Sequence, residues 1–109
     1  MNSAGAITEN SDPDADVVAD SLVADAVGSI DLDTNIATIN ASVSSTGAIT
    51  IDETDTIELT DVDTNDGTIT VTSGGTMTAT DVVAGGSGEV SLTTTSGDIV
   101  AGLFTAEGN

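Results

Sequence analysis

Hydrophobic and polar residues alternate along most of the chain after residue 28. Alternation with a period of two is typical of a β-strand that has one buried face. Four of these segments open with the same phrase: glycine, any residue, Ile or Val, a polar residue, then an aliphatic residue. They are Gly28–Leu32, Gly47–Ile51, Gly67–Val71 and Gly88–Leu92, and their starts are 19, 20 and 21 residues apart.

A second strand follows each of these segments. The second strands are Ile39–Ala41, Ile57–Leu59, Met77–Ala79 and Ile99–Ala101, and a weaker third column contains Val43, Val62, Val82 and Leu103 or Phe104. A phrase that recurs every 19–22 residues is expected of stacked coils in a parallel β-solenoid. An antiparallel β-sandwich with strand exchange also fits the alternation, but it gives no reason for the repeat. The sequence therefore predicts an all-β fold, a solenoid of about four coils over residues 28–109.

Stacking of equivalent residues predicts three apolar columns inside the solenoid. They are Ile30/Ile49/Ile69/Val90, Leu32/Ile51/Val71/Leu92 and Ile39/Ile57/Met77/Ile99. The repeated glycines suit corners at which neighbouring coils approach closely.

Residues 1–27 differ in composition and predict an N-terminal capping helix over residues 13–27. Asp12 stands where an N-cap is expected, Pro13 follows at the first helical position, and Gly28 lies just past the end. Apolar residues recur with the three- and four-residue spacing of one helical face. They are Ala15, Val18, Ala19, Leu22, Val23, Ala26 and Val27.

The phrases at Gly67–Thr76 and Gly88–Ile99 resemble the coils of filamentous-haemagglutinin-type secreted adhesins and other repetitive bacterial or archaeal surface proteins. The similarity extends over about residues 28–104. It implies a right-handed parallel β-helix, a secreted or surface location, and a role in adhesion or fibre building.

Charge excludes several functions. The chain has 19 Asp and Glu but no Lys, Arg or His, so its formal charge is −19. It would repel nucleic acid, and it lacks the basic clusters that hold proteins on anionic membranes. Cysteine and histidine are absent, and no carboxylate pair is set among apolar neighbours for acid–base chemistry, so we expect no enzyme. High acidity without thiols favours an extracellular or cell-surface location. Residues 1–5 lack the features of a signal peptide, and no segment is long and apolar enough to span a membrane.

Three clusters place acidic or amide oxygens at alternate positions, as a hard cation such as Ca²⁺ requires. The best candidate is Asp61, Asp63, Asn65 and Asp66, and the weaker ones are Asp31, Asp33 and Asn35, and Asp12, Asp14 and Asp16. The first differs from an EF-hand, because its glycine comes one place late and Thr72 replaces the final glutamate. The alternative interpretation involves no metal: Asp61 to Asp66 is a solvated corner, Asp31 and Asp33 lie on an exposed strand face, and Asp12 to Asp16 is a capped helix start.

These observations favour a structural subunit of an extracellular self-assembling fibre or surface layer, whose partners are copies of itself. Open solenoid ends expose unpaired strand edges, and divalent cations would screen the self-repulsion of so acidic a chain. The expected assembly surface consists of Val90, Leu92, Ile99, Leu103, Phe104, Leu22 and Val23.

Two other functions stay open. One is an adhesin-type binding module that uses a Ca²⁺-loaded acidic corner or a Thr-rich face. The other is an ice-binding solenoid, suggested by Thr68–Thr72 and Thr76–Thr80, although Asp33, Asp52 and Glu89 would interrupt the threonine columns.

Overall fold

The computed structural model describes the backbone of residues 2–8 and 15–106 and the side chains of residues 3–8 and 15–102. These residues form ten strands and no helix. The strands are β1 (Asn2–Ser3), β2 (Ile7–Thr8), β3 (Val17–Ala26), β4 (Ile30–Val43), β5 (Ile49–Glu53), β6 (Ile57–Thr64), β7 (Ile69–Ser73), β8 (Met77–Ala84), β9 (Val90–Thr94) and β10 (Ile99–Ala106). Every pairing among them is parallel, so the antiparallel sandwich is wrong.

From β5 onward, short and long strands alternate along the chain, and they stack into two faces. The strand order is β10-β8-β6-β4-β5-β7-β9, with β3 on β4. The first part of β4 pairs with β5, and its second part pairs with β3 and β6, so this one strand crosses both faces. The chain is thus a parallel β-solenoid of about four coils, as its repeat predicts.

Two of the three interior columns are confirmed residue by residue. Ile30 pairs with Ile49, and the column continues through Ile69 to Val90. The column that begins at Leu32 also has the predicted members.

The predicted column that begins at Ile39 and the weaker column that begins at Val43 are both wrong at their first member. Ile39 pairs with Leu59 rather than Ile57, and Val43 pairs with Thr64 rather than Val62. The reason is that β4 passes from the short strands to the long strands without a break, whereas residues 54–56 separate β5 from β6. A further register shift follows Ile39. Neighbouring coils therefore contain different numbers of residues between the same two columns.

The capping helix is also wrong, because residues 17–26 form β3. Its alternation places Leu22, Ala24 and Ala26 in the core, whereas Val23, which a helix would have buried, is 55% exposed. Leu22 and Ala26 fit both the helical and the strand period. The edge of β4 decides between the two, since pairing satisfies a ladder of backbone groups that a helix would leave open. Asp12, Pro13 and Asp14 lie outside the described residues.

Close stacking at one corner requires glycine. A Cβ atom placed at Gly67 would overlap the carbonyl oxygen of Gly47, and one at Gly88 would overlap that of Gly67. Successive coils can therefore approach to strand-pairing distance at this corner only without side chains.

Candidate functional site

One carboxylate lies inside the solenoid. Glu53 ends β5 with its side chain pointing inward, and it is 2% exposed. Its Oε2 atom accepts hydrogen bonds from Thr34 Oγ1 at 2.6 Å and from the Ile36 backbone N–H at 3.0 Å. Its Oε1 atom accepts one from the Asp55 N–H at 3.1 Å. All three partners are donors, so both oxygens of this side chain accept hydrogen bonds.

Glu53 belongs to an interior polar column that sequence reasoning missed. The column runs Thr34, Glu53, Ser73 and Thr94; the last three end the short strands β5, β7 and β9, and Thr34 is the equivalent residue within β4. Ser73 Oγ donates to the Gly75 carbonyl at 2.7 Å, and Thr94 Oγ1 donates to the Gly97 carbonyl at 3.1 Å. The hydroxyl groups of Ser73 and Thr94 therefore satisfy backbone carbonyls in the turns that follow β7 and β9. The signal was available, because strict alternation from the opening Ile or Val places this residue inward.

Carboxylates concentrate in one coil. Residues 49–68 contain seven of the 19, whereas residues 90–106 contain one, Asp98. The seven are Asp52, Glu53, Asp55, Glu58, Asp61, Asp63 and Asp66. We call this coil the acidic belt.

The environment of Asp61 in the acidic belt disfavours its charged form. Burial raises the pKa of its carboxyl above the ordinary value, and the charges of Asp63 and Asp81 raise it further. Asp61 and Asp81 occupy the same outward position on neighbouring coils, because Val62 pairs with Val82. Like charges at such positions repel across the strands.

Asp66 has the opposite environment. Its Oδ1 atom accepts hydrogen bonds from the Ser87 backbone N–H at 2.9 Å and from Ser87 Oγ at 3.0 Å. These bonds favour the charged form, so they lower the pKa of this carboxyl.

The predicted metal ligands lie on the outside of the solenoid where they are described. Asp61 and Asp63 point outward from β6, and Ser42 Oγ donates to Asp63 Oδ1 at 2.8 Å. Asp66 is held by Ser87 rather than turned toward this pair. The other described candidates are Asp31, Asp33 and Asn35 on the outer side of β4, and Asp16. Within residues 2–8 and 15–106, no three acidic residues lie close enough together to hold a metal ion. Calcium binding stays a prediction.

The threonine face is interrupted as expected. Asp33 pairs with Asp52, which pairs with Thr72 and then Thr93, so two carboxylates occupy one outward column. Two surface pockets have volumes of about 210 and 180 Å³. Both are smaller than the roughly 300–1,000 Å³ of typical small-molecule sites.

The two end coils differ in the exposure of their interior residues. In the first, Leu22 and Ala24 are buried. In the last, Val90 and Leu92 are only partly buried, and Ile99 is 43% exposed. The backbones of Leu103 and Phe104 continue β10, but their side chains are not among those described. The last described coil thus presents an apolar interior surface.

Among the described residues, none forms a helix long and apolar enough to cross a bilayer. Comparison of the chain with protein-family models, with curated proteins and with solved structures finds no match.

Proposed function

We propose that this protein is a structural subunit of an extracellular self-assembling fibre or surface layer, and that copies join through the last described coil. The observation that supports this proposal is the exposure of Ile99. Its counterparts in the preceding coils, Ile57 and Met77, are fully buried. A second copy would restore the burial that the repeat gives to every internal coil.

The backbone of this coil supports the same proposal. The Ile57 N–H donates to the Thr76 carbonyl, and the Met77 N–H donates to the Asp98 carbonyl. The Ile99 N–H, in the same position, has no further coil to reach within the described residues. Unpaired edges of this kind favour addition of another strand.

Charge sets the conditions for assembly. Joining two chains of charge −19 is opposed by repulsion that no lysine or arginine offsets. Salt shortens the range of this repulsion to about 8–10 Å at physiological ionic strength. Divalent cations neutralise more charge per ion, and Asp61 and Asp63 are the first residues on which we expect Ca²⁺ to act.

Two finer features complete the proposal. A right-handed coil is the handedness that parallel strand connections adopt in nearly all proteins. An acidic, thiol-free chain with adhesin-like coils suits the outside of a cell. The adhesin-type binding module and the ice-binding solenoid rank lower, because Asp33 and Asp52 interrupt a threonine column of the face that either could use.

The test is sedimentation velocity together with negative-stain electron microscopy of the purified protein. Three conditions are compared: Ca²⁺, excess chelator, and NaCl at the same ionic strength as the Ca²⁺ sample. We expect assemblies in Ca²⁺ and fewer in chelator. Monomers in all three conditions at high protein concentration would contradict the proposal. Equal assembly in NaCl and Ca²⁺ would retain self-assembly but remove the specific role of the divalent cation.

A further inference from the structure

We infer that the contact at the last described coil is two-fold, so that β9 and β10 of one copy meet the same strands of a second copy. This inference rests on the proposed self-assembly and gives its geometry. This contact by itself closes a dimer joined end to end through identical surfaces, and that dimer is then the building block of the fibre or layer. Closed two-fold contacts of this kind are the commonest in homo-oligomers.

The first argument is the difference in burial between the two end coils. A head-to-tail contact would require the outer edge of β3 to receive the last coil of another copy. Leu22, Ala24 and Ala26 of β3 are already buried within a single copy, and β1 pairs with β3 at Asp25 and Ala26. At the last coil, by contrast, Ile99 is 43% exposed. Among the described residues, the last coil is therefore the end coil with the more exposed interior.

The second argument is charge. Residues 15–29 contain three carboxylates, at Asp16, Asp20 and Asp25, whereas residues 90–106 contain only Asp98. In a head-to-tail contact, the single carboxylate of the last coil faces the three carboxylates of the first coil. A two-fold contact brings together the two least acidic coils of the pair.

The third argument is the chemistry of the strands themselves. The outward residues that flank the contact are Ser91 and Thr93 on β9, and Val100 and Gly102 on β10. None of these four is charged, so antiparallel pairing across a two-fold axis places no like charges opposite each other within β9 and β10. The same pairing would bury Val90, Leu92 and Ile99 against their counterparts.

One test compares two variants that each add one negative charge to an exposed apolar residue of an end coil. Ile99→Asp lies in the contact, whereas Val18→Asp lies in the first coil, where the side chain is 73% exposed. By sedimentation equilibrium, we expect Ile99→Asp to weaken dimerisation by about tenfold or more, because a charge buried at the contact lacks a partner. Val18→Asp should leave dimerisation close to that of the unmodified chain. Equal weakening by both variants would overturn the two-fold contact in favour of head-to-tail stacking.

A second measurement does not depend on the stability of Ile99→Asp. The chain has no cysteine, so Ser21→Cys carries a single spin label on the outer side of β3. A two-fold contact at the last coil sets the two labels about nine coil spacings apart, roughly 43 Å along the axis. Head-to-tail stacking sets them about five spacings apart, roughly 24 Å. The shorter distance would overturn this inference but leave self-assembly intact, whereas failure of the unmodified chain to associate would overturn both.

Discussion

The hydroxyl of Thr34 donates a 2.6 Å hydrogen bond to the carboxylate of Glu53, which lies directly beside it on the next coil. The same carboxylate accepts hydrogen bonds from the backbone N–H groups of Ile36 and Asp55. Two of the three donors, Thr34 and Ile36, lie where β4 crosses between the two faces. The third, the Asp55 N–H, lies in the turn after β5. Glu53 therefore joins two coils at a corner where the numbers of residues in the two coils differ.

Replacing Glu53 by Gln should destabilise the protein. One acceptor oxygen becomes an NH₂ group, which then faces a buried donor that it cannot satisfy. We expect a loss of about 1–3 kcal/mol in the free energy of unfolding. Urea denaturation followed by circular dichroism would measure it.

The matched control is Asp52→Asn, one residue earlier in the same strand. Asp52 is exposed and lies opposite Asp33, so removing its charge relieves repulsion and breaks no buried hydrogen bond. We expect unchanged or slightly higher stability. A loss as large as that of Glu53→Gln would mean that charge, rather than hydrogen bonding, determines the first result.

Asp61→Asn should stabilise the protein at neutral pH. The folded state raises the pKa of Asp61 from its ordinary value of 3.8. The stability that this group contributes is therefore fully present below that value and is lost as pH rises through the folded pKa. We expect a gain of about 0.5 kcal/mol at pH 7, the size typical of a cross-strand charge pair. Thermal melts at pH 7 and pH 3 would measure it, and a gain that persists at pH 3 would contradict the electrostatic origin.

Asp66 should titrate at lower pH than Asp61. Because the two Ser87 donors lower its pKa below 3.8, the stability it contributes is present above that value and is lost as pH falls through the folded pKa. Carboxyl chemical shifts followed by NMR during acid titration would give both midpoints. Ser87→Ala removes the hydroxyl donor and should move the Asp66 midpoint upward. An unchanged midpoint would show that the hydroxyl has no part in the shift.

Gly67→Ala should disrupt the stack at the corner. The added methyl group would overlap the Gly47 carbonyl, and the backbone of both coils would have to move apart. We expect a loss of about 3 kcal/mol or more. Gly5→Ala is the control, since nothing lies within 4 Å of a Cβ at Gly5. Similar unfolding midpoints for the two variants would contradict close approach at this corner.

Periodicity in the sequence was sufficient to predict the parallel coils, because each short strand repeats the same inward positions as its neighbours. It failed at β3, where Leu22 and Ala26 satisfy two periods at once and only the neighbouring edge of β4 selects the strand. It failed again at Ile39, since no spacing shows where a coil gains a residue. Both errors concern contacts between coils rather than local preference.

The candidate sites likewise depend on contacts between coils. The alternation that places Ile49 inward also places Glu53 inward, although charged side chains are seldom buried. Its burial depends on donors from Thr34 and Ile36 of another coil. The exposure of Ile99 likewise depends on what lies beside it in space.

The equivalence of successive coils gives this chain a modular length. Residues 69–89 begin with Ile69, which pairs with Ile49 before it and Val90 after it, and all three are aliphatic residues at the same inward position. Removing this segment would bring Ile49 against Val90 with the column intact, and duplicating it would lengthen the stack by one spacing of about 4.8 Å. Insertion and deletion of whole coils is therefore the route by which relatives of this protein would vary in size without a change of fold.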